Sequence, residues 1–273
     1  MIISSSALAS NIDGTATKLG VPLPKQYIAA VAAARALPPE AARMGDVAEL
    51  HAVALAALQS GRDPGTDADV LRLVTHRVLA EAGFRVAAES LTGDLIVQAL
   101  DENQDAIVSG WATALKPDCA ALESAAGRLD QPDLNKADPI LLKRQGLLTV
   151  WGDAVSAVER IDAGLSGLRS IFAALHIPND PSVNAVMLSP DANIDTVRAV
   201  TALAGRGALK AWDIARGAGG PLRLATVSEF RAAVARLAAE DQQRARATDT
   251  EADTDTDTQP EGRQRRRQWA RVQ

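Results

Sequence analysis

The sequence predicts a mainly α-helical protein, and three observations carry that prediction. Alanine supplies about a fifth of the 273 residues while aromatic residues make up only 3%, a composition that favours helix over sheet. A long apolar heptad seam runs from Leu147 to Leu175, the period of a helix that packs along its whole length. Prolines break the N-terminal part into short pieces that each keep helical spacing. The expected architecture is a long antiparallel helical hairpin, preceded by short helices, followed by a small helical or α/β subdomain, and closed by a disordered C-terminal tail.

Residues 1–62 form the expected cap of short helices. A PKQYIAAVAAARAL stretch follows Pro22 and Pro24 and stops at Pro38 and Pro39, and GDVAELHAVALAALQSG ends at Gly61. The turn cluster at 62–69 leads to Thr66 and, three residues on, Asp69, the spacing of a capping box. A helical region then runs from about Asp67 to Lys116, with Gly83 and Gly93 as breaks or kinks. Pro117 opens a fresh helix through about Leu129.

Asp138 is a good N-cap and Pro139 occupies the first helical position, where its missing N–H costs nothing. From there one helix is expected to reach Leu175, roughly 55 Å at 1.5 Å per residue. Within it Leu147, Trp151, Ala154, Val158, Ile161, Leu165, Leu168, Phe172 and Leu175 recur at intervals of four and three. A looser stripe, Leu100, Ile107, Trp111, Ala114, Leu122 and Leu129, precedes it. The short connection at 130–138 favours a hairpin over 63–177 in which these two stripes meet. Pairing of the seam between chains is the alternative.

The texture changes over 178–247. VNAVML at 183–188 and LRLA at 222–225 read as short strands, and Ile194, Val197, Val200 and Leu203 mark a helix closed by Gly205. Thr226 and Glu229 make a capping box before a helix that places Val227, Phe230, Val234 and Leu237 on one face. Runs this short fit a small α/β subdomain or a three-helix extension equally well. In 248–273 the stretch 249–262 carries six carboxylates and no basic residue, so it reads as a disordered linker.

Little of the sequence points to chemistry. One cysteine, Cys119, allows neither an internal disulfide nor a thiolate metal cluster, which fits a reducing compartment. The first ten residues lack the basic start of a secretory signal, and no segment approaches the roughly 20 apolar residues of a membrane span. A cytoplasmic location is expected. His51, His76 and His176 lie in separate elements with no ligand at metal spacing. Asp253, Asp255 and Asp257 imitate the start of a calcium loop, but Thr258 stands where its glycine belongs. Gly205 and Gly207 lack the third glycine of a dinucleotide turn. Asp101, Glu102 and Asp105 read as a solvated helix face, and Cys119 as a small buried residue. The sequence therefore predicts no enzyme, cofactor, metal or small-molecule site.

The C-terminus carries the remaining functional content. Arg263, Arg265, Arg266, Arg267 and Arg271 concentrate positive charge around Trp269, a combination suited to phosphates or to an acidic protein surface. The net charge of -5 confines any such contact to this tail. An acidic, helix-rich body ending in these six residues resembles phage capsid scaffolding and assembly proteins. The alanine-, arginine- and aspartate-rich texture is similar to that of actinobacterial phage and prophage proteins. The resemblance implies an assembly or interaction protein that docks a partner through its basic tail or associates with itself. The alternative is a nucleic-acid-associated regulator whose tail contacts phosphate.

Overall fold

The computed structural model describes residues 5–36, 47–178, 181–204 and 209–256. Among them ten α-helices and two short 3-10 segments account for all regular structure, and there is no strand. The helices are α1 (Ser5–Leu19), α2 (Lys25–Arg35), α3 (Val47–Gln59), α4 (Ala68–Glu81), α5 (Phe84–Ala126), α6 (Pro139–Arg144), α7 (Leu148–Ala174), α8 (Ile194–Ala204), α9 (Ala211–Ala218) and α10 (Val227–Thr256). They fall into two compact units, Met1–Leu115 with Glu159–Asn179, and Lys116–Val158 with Asp180–Gln273. Both α5 and α7 belong partly to each unit.

In the first unit α1 ends where Gly20 takes a φ of 69° and the Val21 N–H donates back to the Ala16 carbonyl at 2.9 Å. That left-handed turn needs glycine. Leu8 and Ile12 of α1, Tyr27 of α2, Trp111 of α5 and Ile161 to Phe172 of α7 supply the buried core. Gly167 is the closest approach. A methyl group there would lie 2.7 Å from Thr15 Cγ2 and 2.8 Å from Trp111 Cζ3, so only hydrogen fits.

The Thr66–Asp69 capping box does not form. Asp67 caps α4 instead, accepting from the N–H groups of Asp69 at 3.0 Å and Val70 at 3.3 Å, while the Thr66 hydroxyl turns back to the Asp63 carbonyl. Asp67 is buried and paired with Arg62, an anchor that makes it the better cap. Pro117, expected to start a new helix, lies inside the continuous α5. Leu115, Cys119 and Leu122 around it are all buried, and this packing outweighs the lost hydrogen bond.

In the second unit the expected helix from Pro139 is two helices. Asp138 and Pro139 open α6 as anticipated, with the Ile140 N–H donating to Asp138 Oδ1 at 2.9 Å. Gly146 then takes a φ of 67°, and the Leu147 N–H donates to the Leu142 carbonyl at 2.8 Å, which ends the helix before α7 begins. Indole N–H groups clamp the preceding loop: Trp151 donates to the Leu134 carbonyl at 2.9 Å and Trp212 to the Gln131 carbonyl at 3.0 Å.

The two stretches read as strands do meet, but not as a sheet. Pro181–Met187 is a 3-10 segment, and the residues that follow Pro221 donate to its end, Arg223 to the Leu188 carbonyl and Ala225 to the Met187 carbonyl, both at 2.8 Å. The Thr226–Glu229 capping box forms in full: the Thr226 N–H donates to Glu229 Oε2 at 2.9 Å and the Glu229 N–H to Thr226 Oγ1 at 3.2 Å. The helix it opens, α10, continues past 247 to Thr256, so the first acidic residues of the expected linker follow a helical backbone.

Candidate interaction surface

The residues with chemical potential are dispersed. His51 and His176 are exposed and His76 is half-buried, each on a different element. His176 terminates a helix. It takes a φ of 52° just past α7, and the Ile177 N–H closes the helix end on the Phe172 carbonyl at 2.9 Å. Glu102 accepts from Gln98 at 2.9 Å and Asp101 from Gln104 at 2.8 Å, as a solvated helix face does. Burial, with Glu123 and Asp118 adding to it, pushes the Cys119 thiol up to about 12, which leaves it an unreactive thiol. Burial and the nearby Asp13 likewise push the Tyr27 hydroxyl up to about 12, against a smaller opposing pull from Arg35, so it is no base at neutral pH.

Among the described residues no group of three or more His, Cys, Asp or Glu side chains is placed to hold a metal ion, and no helix is long and apolar enough to cross a membrane. Asp253 and Asp255 lie on the backbone of α10, whereas Asp257, Gly205 and Gly207 lie outside the described residues. A recess of about 190 Å³ between α1 and α7 is lined by Ser10, Thr15, Lys18 and Ser166 among others. It is smaller than the roughly 300 Å³ at which ligand pockets begin, and it follows from the small residues that let these helices approach.

The anticipated helix-packing seam is divided between the two units. Ile161, Leu165, Leu168 and Phe172 are fully buried in the first unit, and Leu147, Trp151 and Val158 are half-buried in the second. The tail residues Arg263, Arg265, Arg266, Arg267, Trp269 and Arg271 lie outside the described residues.

What the sequence reading missed is the outward face of α3, α4 and the start of α5. On α4, Leu71, Val74 and Val78 are exposed at intervals of three and four. On α5, Phe84, Leu91 and Leu95 are exposed, and Ala88 fills the gap in the same four-and-three spacing. Val47, Leu55 and Leu58 do the same on α3, with His51 completing the stripe. Meanwhile, among the residues whose burial is described, these helices bury little: α3 only Ala57, α4 only Val70 and Leu73 as apolar residues, and α5 nothing before Ile96. The helices α3 and α4 pack on one another, and Ala82 and Gly83 alone separate α4 from α5. A smaller apolar patch, Ile140 and Leu141 of α6 with Leu148, is exposed on the second unit. The spacing of these stripes was readable from the sequence, but their exposure was not.

No protein family, curated protein or solved structure matches the chain.

Proposed function

We propose that this chain is a non-enzymatic assembly or interaction protein, whose working surface is the apolar face of α3, α4 and the first turns of α5. The observation that supports this reading is the nine large apolar side chains that these stripes leave between 37% and 58% exposed. Helices of this length are marginal in water without a covered apolar face, and contiguous exposed apolar surface marks interaction sites. The basic C-terminal end, Arg263 to Arg271 with Trp269, serves in this reading as a second handle that docks a partner, in the manner of the capsid-assembly proteins the sequence resembles. The hairpin of the two long helices belongs to the same reading. Its support is the contact of Trp111 on α5 with the Gly167 position on α7.

Site-specific photo-crosslinking in cells that make the protein tests it. A photoreactive side chain at Leu91 is expected to trap protein, and one at the exposed Lys25 is not. Equal yields at the two positions, or no protein trapped from Leu91, would remove the face from consideration.

A further inference from the structure

We infer that the occupant of the α3–α5 face is a second copy of this chain, an inference that rests on the interaction reading above and names its partner. Area is the first argument. Nine side chains at 37% to 58% exposure, each of the order of 150 to 200 Å² when free, present roughly 750 Å² of surface. A standard interface takes about 800 Å² from each partner, whereas the largest apolar patch on an ordinary monomer is about 300 to 600 Å². The face therefore exceeds an ordinary monomer's patch and comes close to one half of a stable dimer.

The pattern is the second argument. Apolar residues at alternating intervals of four and three seat knobs from another helix. On α7 that pattern is covered within the chain, whereas on α4 and the start of α5 it faces outward. In an interface formed across a two-fold axis the same patch appears on both sides and must complement itself.

Charge is the third argument, and it removes two competitors. The segment 47–95 carries seven carboxylates, four arginines and no lysine. Anionic lipid and nucleic acid select the opposite balance. The charges on α4 pair with one another, Arg72 with Asp69 at 3.5 Å and Arg77 with Glu81 at 2.8 Å, so two copies meet without a block of like charge.

Light scattering after gel filtration on the full chain, over a wide concentration range, decides the matter. The expected mass is twice the 28.6 kDa of one chain, and Leu71→Glu with Leu91→Glu should reduce it to a monomer with an unchanged helical circular dichroism spectrum. Because the double variant could lose structure, hydrogen exchange on the unmodified protein provides the second readout: amides of 68–95 should slow as concentration rises. A monomer at every concentration would overturn the inference. So would a dimer that survives the double substitution while exchange over 68–95 ignores concentration. If the protein is monomeric and Leu91 still traps a different protein, the second copy is excluded and the interaction reading stands. If it is monomeric and Leu91 traps nothing, both fall.

Discussion

Two pairs of packed helices, α8 with α10 and α3 with α4, finish their surfaces in opposite ways. In the second unit Arg236 of α10 donates to the carbonyls of Pro190 at 2.9 Å and Ala192 at 2.6 Å. Glu240 accepts the Ile194 N–H at 3.2 Å, so a side chain of α10 caps the start of α8. Arg198 pairs with Asp241 at 2.6 Å, and both nitrogens of the Arg244 fork reach Asp195. On α4 the pairs Asp69–Arg72 and Arg77–Glu81 stay within one helix, and Leu71, Val74 and Val78 are exposed beside them. Exposed ion pairs contribute about 0 to 1 kcal/mol each, so the contrast is less one of strength than of direction. The α8–α10 pair directs its polar groups at one another and at its own backbone, and the α3–α4 pair leaves apolar groups facing outward.

The sharpest way to break this comparison is to make the same change on both kinds of surface. Leu165→Ala, in the first unit's core, should cost about 2 to 5 kcal/mol in urea unfolding. Leu71→Ala, at a concentration where scattering gives a monomer, should stay within about 0.5 kcal/mol of the parent. Equal costs would mean that the outer side of α4 is packed within the single chain. A smaller effect is expected for Arg236→Met, which leaves the Pro190 and Ala192 carbonyls without their donor and should cost about 1 to 3 kcal/mol. Hydrogen exchange should then quicken around 187–194 and not in α4.

The smallest effect is a pH dependence confined to the second unit. Burial pushes the Glu229 carboxyl up, but the Thr226 backbone N–H and the Arg223 guanidinium outweigh it and hold the group below its ordinary range. The Arg244 hydrogen bond, with the charges of Arg244 and Arg198, holds Asp195 low as well. A carboxyl that is more acidic when folded stabilises above the ordinary carboxylate range, and that contribution is lost as pH falls through the folded value. Glu229 is partly exposed, so its share should be below about 1 kcal/mol. Glu229→Gln should flatten the acid limb of stability against pH, and an unchanged limb would show that the capping box carries no such linkage.

What was legible in the sequence follows a physical rule. The Asp138–Pro139 start and the Thr226–Glu229 box could be read because each needs only residues within three positions of one another. The seam could be read because spacing survives whatever covers it. Pro117 could not, since the decision to keep a proline within a helix is made by Leu115, Cys119 and Leu122 packing elsewhere. Nor could Gly146, which looks no different from Gly93 inside α5 until its φ is known. The strand reading of 183–188 and 222–225 found two segments that hydrogen-bond, but nothing local told an extended chain from a 3-10 turn. For the candidate surface the same limit applies: the stripes on α4 and on α7 have one spacing, and only the fold decides which is covered.

Each unit is assembled from two separated stretches, because α5 and α7 both pass from one unit to the other. Neither unit is one continuous stretch of sequence, so neither can be excised as a single segment. A break between 127 and 147 leaves each fragment with most of one unit and a minor part of the other, so both units are completed only when the fragments find one another.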